Sequence, residues 1–150
     1  MTDTDTDTDT DTGTDTDELA ERYVAVWNEP DAERRRAAVR ALWAADAVHL
    51  LQPPEEMRRS AETLGFDRLV LEARGHRALD FRVTRAHEEF VAPGTYVFRS
   101  CGDADRLDDV VKFTWEMVAR DGGAVVGAGL EILVLGPDGR IVSDHQFIVG

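Results

Sequence analysis

The sequence predicts an α+β domain, with helices first and an antiparallel meander after them. Three observations carry that reading. Between Asp17 and Phe90 the apolar residues recur at the spacing of helix faces. From Thr95 onward the period falls to that of alternating strand side chains. Asp121-Gly122-Gly123 and Pro137-Asp138-Gly139 then cut the second half into strand-length pieces.

The first helix starts at Asp17 or Glu18, with Asp17 as cap, and buries Leu19, Tyr23 and Val26/Trp27. Asn28-Glu29-Pro30-Asp31 stops it, and Asp31 caps a second helix that runs to Trp43 and buries Ala38, Val39, Leu42 and Trp43. Arg34, Arg35 and Arg36 read as its solvated face. A short strand follows from Asp46 to Leu51, ended by Pro53-Pro54, and Glu55 to Leu64 forms a polar helical segment. A third clear helix follows Gly75, with Leu79, Val83, Ala86 and Phe90 as its stripe and Pro93-Gly94 as its stop. Strands are expected at Tyr96–Arg99, Asp109–Ala119, Ala124–Leu135 and Arg140–Val149. One face of this sheet must lie under the helices, and strong curvature would leave a hollow between the layers.

Composition bounds the possibilities. The chain has 150 residues, enough for one domain with a real core, and a formal charge of −13. Residues 1–17 are almost pure Thr-Asp repeat and hold seven of the acids, so the remainder carries −6. Such a repeat has no apolar side to bury and repels itself, so 1–17 reads as a disordered tail and 18–150 as the domain. The acidic balance argues against nucleic acid and anionic membrane as partners. No apolar run is long enough to span a bilayer, and the first residues lack a basic start and an apolar stretch; the expectation is a cytoplasmic protein. The single cysteine, Cys101, forms no internal disulfide and reads as a buried free thiol. No His-x-His, cysteine pair, compact acidic cluster or phosphate-cradling glycine loop stands in the sequence, so neither a metal nor a cofactor is expected.

Three motifs, one near each end and one between them, narrow the fold. Arg22-Tyr23-Val24-Ala25-Val26-Trp27-Asn28, then Leu42-Trp43-Ala44-Ala45-Asp46-Ala47-Val48, then a closing Gly139-Arg140-Ile141-Val142 strand resemble the nuclear-transport-factor-2-like superfamily, which includes ketosteroid isomerase, SnoaL-like polyketide cyclases and limonene epoxide hydrolase. The resemblance covers roughly residues 18–150. It implies a cone: a curved antiparallel or mixed sheet with three N-terminal-side helices over its concave face, often dimeric through the sheet. The same cone serves enzymes and plain binding proteins.

By that resemblance Tyr23 falls at the isomerase's oxyanion-hole tyrosine. Glu131 falls at its oxyanion-donating carboxylic acid, which an apolar site keeps protonated. Glu131 sits among Gly129, Leu130, Ile132 and Leu133, and burial disfavours a charged carboxylate. The isomerase's general base falls at Leu51, with Gln52 next, and neither abstracts a proton. Asp144, His145, His49 and Glu131 are the available replacements. A two-residue turn at Pro137-Asp138 would set Glu131 opposite Asp144 with Gln146 nearby; a three-residue turn with Gly139 left-handed would set it opposite His145. The resemblance favours the first, and Pro-Asp-Gly locally favours the second.

The site expected is therefore Tyr23, Glu131 and Asp144 as acid–base groups, with Trp27, His49, Leu51, Trp115, Leu133 and Gln146 around a small hydrophobic ligand. One function is a cofactor-free isomerase or cyclase acting on a hydrophobic carbonyl compound. The alternative is a non-catalytic ligand-binding or dimerisation module, motivated by Leu51. An epoxide hydrolase would need an arginine between two acids in the pocket, and Arg99 is the candidate nearest to hand.

Overall fold

The computed structural model describes the backbone of residues 2–149 and the side chains of residues 15–149. Helix α1 spans Thr2–Asn28 and α2 Ala32–Leu42. Strand β1 is Trp43–Leu51, α3 Glu55–Thr63, β2 Leu71–Arg74 and α4 Gly75–Ala86, which continues into a π turn at His87–Val91. The meander follows as β3 Tyr96–Ser100, β4 Asp105–Leu107, β5 Val110–Ala119, β6 Val125–Leu135 and β7 Ile141–Val149. The tail expected at 1–17 lies, for the side chains of 1–14, outside the described residues.

The strands form one curved, open sheet in the order β2-β1-β7-β6-β5-β3, with β4 added on β5. All neighbours are antiparallel except β1 and β7, which run parallel. That one parallel pair turns the meander into a mixed sheet and seats the N-terminal strand between β7 and the edge strand β2. Helices α1 and α4 pack on the concave face. There Val39, Leu42, Trp43, Leu79, Val83, Val111, Phe113, Leu133 and Ile141 are buried together.

Local chemistry accounts for most boundaries. Asp31 caps α2 by accepting hydrogen bonds from the Glu33 and Arg34 backbone amides. Asn28 ends α1 and clamps it to the sheet: its side chain donates to the Phe98 carbonyl at 2.7 Å and accepts from the Phe98 amide at 3.0 Å. Four expectations need correction. Trp43 opens β1 rather than closing α2, because the parallel pairing with Ile141 of β7 captures it. Strands β2 and β4 are too short to show a period, and pairing alone makes them strands. Arg35 is buried, not solvated; it donates to the Glu29 carbonyl at 2.6 Å and to Thr84 Oγ1, tying the α1–α2 corner to α4. Cys101 is exposed, since its backbone loops off the end of β3. No described helix is long and apolar enough to cross a membrane.

The β6–β7 turn decides which side chains face inward. Gly139 is left-handed, with φ 82°, and the Gly136 amide donates to the Arg140 carbonyl. This is the three-residue turn that Pro-Asp-Gly favours. A bulge then follows, because Leu135 pairs with Ile141 while Val134 pairs with Ser143. The extra residue restores the parity that the turn removed. Glu131 consequently pairs with Gln146, and Leu133 with Asp144. Neither pairing expected for Glu131 holds, yet Glu131, Asp144 and Gln146 share the concave face.

Candidate functional site

A cavity of about 280 Å³ opens between α1, α4 and the concave sheet, near the lower end of small-molecule sites. Its walls are mostly apolar, with Trp27, Leu51, Phe90, Phe98, Met117 and Ile148 among them. The polar lining residues are Tyr23, Gln52, Arg82, Trp115, Glu131 and Gln146. The π turn after α4 contributes twice: it carries Phe90 to the wall, and it brings His87 Nδ1 within 2.9 Å of the Trp27 carbonyl oxygen.

Glu131 stands at the floor of this cavity and is fully buried. Trp115 Nε1 donates to its Oε1 at 2.9 Å, while Oε2 makes no hydrogen bond among the described residues. Trp115 faces Gly129 across the β5–β6 ladder, and a Cβ at residue 129 would collide with its indole. Gly129 is thus what lets the indole lie across the strand and reach Glu131. Burial, and then the nearby Asp144, push the Glu131 carboxyl well above the usual carboxylate range.

Tyr23 joins the cavity wall to a second layer behind it. Tyr23 is packed between Trp27, Trp43 and Phe113, at ring distances of 5.9, 5.5 and 5.3 Å. Its hydroxyl donates to Asp144 Oδ2 at 2.7 Å. Burial, then Asp144 and Glu131, raise the Tyr23 phenol well above 10. Asp144 is fully buried, and its Oδ1 makes no hydrogen bond among the described residues. His49, beside Asp144 in the parallel β1–β7 register, places Nε2 2.8 Å from Gln146 Oε1 and 4.0 Å from Asp144 Oδ2. Burial lowers the His49 pKa, so the ring is neutral there.

The structure therefore brings Tyr23, Glu131 and Asp144 together, but in two layers. Tyr23, Trp27, Leu51, Trp115, Glu131 and Gln146 line the cavity. Asp144, His49 and Leu133 do not; they sit behind it, and Asp144 is joined to the cavity lining by its bond from Tyr23. Arg99 points away, spent on Glu116 at 2.8 Å. The premise that no compact acidic cluster exists also needs correction. His49, Glu131 and Asp144 each offer a ligand atom, and these lie within 4.8 Å of one another. They come from three strands, a proximity that no sequence spacing displays. A divalent cation there would ionise both carboxyls; a proton carried by Glu131 satisfies the same burial without any ion.

Arg82 of α4 is a cavity residue that the sequence reading does not single out. Its signal is present, since it lies three residues after Leu79 and four before Ala86, on the apolar stripe itself.

No protein-family model and no curated protein matches the chain. Among solved structures it is similar to a candidate isomerase of the SnoaL-like family from Agrobacterium tumefaciens strain C58, at 26% identity and TM-score 0.72 over 91% of this chain and 99% of that one. It is also similar to a SnoaL-like protein of unknown function from Burkholderia thailandensis, at 17% identity and TM-score 0.60, covering 89% of this chain and 92% of that one. An NTF2-like protein with a cystatin-like fold from Novosphingobium aromaticivorans, 18% identical, also aligns with TM-score 0.60, over 99% of this chain and 90% of that one. The last two likenesses speak to the fold alone.

Proposed function

We propose that this chain, a member of the nuclear-transport-factor-2-like superfamily by its likeness to solved structures, binds a hydrophobic carbonyl compound in its cavity and isomerises or cyclises it by acid–base chemistry without a cofactor. One observation carries the reading: a fully buried carboxyl, Glu131, on the floor of an apolar cavity with one oxygen unpartnered. A neutral carboxylic acid there donates to a ligand carbonyl oxygen and stabilises the negative charge that develops on it. The SnoaL-like candidate isomerase supports the same class of reaction.

Proton flow follows the two layers. The proton leaving the ligand's α-carbon passes to Tyr23 Oη as the phenolic proton passes to Asp144 Oδ2. Glu131 meanwhile protonates the carbonyl oxygen, giving an enol. The reverse transfers return a proton to a different carbon, so the step is a net isomerisation with no change in oxidation state. Asp144 never touches the ligand; it positions Tyr23 and receives its proton. His49, held neutral, and Gln146 keep the rear of the site ordered.

A second reading has its own observation. By the resemblance the isomerase's base falls at Leu51, with Gln52 next, and the Gln52 side chain is spent accepting the Ile148 amide at 3.0 Å. A cone without a direct base suits a binding module. Hydrogen–deuterium exchange decides between them. Cyclic enones and 1,3-diketones would be incubated with the protein in heavy water and followed by proton NMR. Protein-dependent exchange at the α-carbon, lowered about 100-fold or more by Glu131→Gln, is expected. Saturable binding of those compounds with no exchange above background would leave the binding module as the better reading.

A further inference from the structure

Arg82 extends from α4 into the cavity wall, and it is out of place there. Its guanidinium lies over Trp27, 5.3 Å from the ring centroid. It makes no hydrogen bond and no ion pair among the described residues. The other described arginines near it are better provided for or fully wet: Arg35 is bonded to Glu29 and Thr84, Arg36 to Asp80, Arg85 to Glu88. Burial lowers the pKa of Arg82, a sign that its charge is carried at a cost. Glu131 and Asp144 attract it from a distance, but neither reaches it as a salt bridge.

Position adds a second argument. Arg82 lines the apolar cavity on one side and, on the other, an open groove between α2, β2 and α4. That groove is rich in arginine: Arg36, Arg40, Arg74, Arg77 and Arg85 on its walls outnumber the acids Glu72, Asp80 and Glu88. The groove is a basic patch on a chain whose formal charge is −13. Field lines from such a patch draw small anions toward it, and Arg82 stands where the patch meets the cavity.

We infer that the ligand of this cavity is a hydrophobic carbonyl compound bearing a carboxylate, and that the carboxylate seats on the Arg82 guanidinium while the carbonyl oxygen faces Glu131. The inference rests on the proposed reading of Glu131 for the second contact, not for the first. A guanidinium fork matches the two oxygens of a carboxylate, and its place over the Trp27 ring holds it at the cavity wall. The anion would supply the partner that the protein itself withholds, and Trp27, Phe90 and Phe98 would hold the apolar body.

Simple naphthalene probes separate the two contacts. Binding of 2-naphthoate and 2-naphthamide, followed by titration calorimetry, reads Arg82; binding of 2-naphthol to the parent and to Glu131→Gln reads Glu131. The carboxylate should bind about tenfold or more tighter than the amide, as charge-assisted hydrogen bonds allow. 2-Naphthol should displace it, which places both in the cavity rather than the outer groove. Arg82→Gln should erase the preference while 2-naphthol still binds, and Arg82→Lys should keep part of it. Equal binding of acid and amide to the parent, a preference that survives Arg82→Gln, or a carboxylate that 2-naphthol does not displace would each overturn the inference. 2-Naphthol should bind the parent more tightly than Glu131→Gln; equal binding to the two would instead strike the reading of Glu131 and leave the Arg82 result standing.

Discussion

Glu131 and Tyr23 set the chemistry at the scale of single residues, and their protonation has consequences for stability. The folded pKa of Glu131 lies above its ordinary 4.5. Folding is therefore most favoured below 4.5, where the unfolded carboxyl is protonated too, and stability falls as pH rises from there toward the folded value. Glu131→Gln removes that loss. Denaturant titrations at several pH values should show the variant gaining on the parent through this window and matching its slope elsewhere. His49 has the opposite sign: its folded pKa lies below 6.5, so its contribution is present above 6.5 and is lost as the solution becomes acid. Tyr23→Phe removes the donor to a fully buried carboxyl. It should cost about 1–3 kcal/mol in urea unfolding, as expected for a buried acceptor left without its donor, and should abolish α-carbon exchange. Glu131 is legible in the sequence because a carboxyl amid unbroken apolar strand residues is rarely buried without a role. His49 beside Asp144 is not legible, since a parallel pairing between residues 49 and 144 leaves no local mark.

Elements place these residues, and the β6–β7 hairpin shows how two local rules combine. Pro137-Asp138-Gly139 specifies its turn, with Gly139 left-handed. The bulge beyond it has no sequence signature here, so the face of Glu131 is readable while its pairing partner is not. Across the neighbouring ladder, Gly129 holds open the space that Trp115 fills. Gly129→Ala should push the indole aside and break its bond to Glu131. A changed Trp115 fluorescence, together with weaker 2-naphthol binding in a protein that still melts cooperatively, is the expected result. At the α2 start, Asp31→Ala should cost about 1 kcal/mol without touching the cavity, measured by chemical denaturation. Periodicity reveals the long elements and the Asp31 cap. It fails for β2 and β4, whose strand character comes wholly from their partners.

The whole molecule presents a sheet with one covered and one open face. On the convex side of β6, Val126, Leu130, Ile132 and Val134 project outward, none of them buried in the single chain. Phe147 pairs with Leu130 on that side and is 42% exposed. So broad an apolar strip calls for a cover, and a second copy of the chain is the proposal the fold suggests. Sedimentation should give a dimer for the parent and a monomer for Leu130→Glu, with the cavity of the variant still binding 2-naphthol. A monomeric parent at high micromolar concentration would rule against the dimer. The cone itself is readable from the order of the end motifs, because a domain's core pattern spans many residues. Which groups meet inside it depends on one parallel pairing and one bulge.

The proposed chemistry depends throughout on Glu131 being a neutral acid at the cavity floor. Carbon-13 NMR of protein labelled at the glutamate carboxyl carbons tests this directly, with the Glu131 signal assigned by its absence in Glu131→Gln. The expected result is a protonated carboxyl shift at neutral pH that titrates only well above the ordinary carboxylate range. A Glu131 signal already ionised at neutral pH, titrating with the surface glutamates, would contradict it.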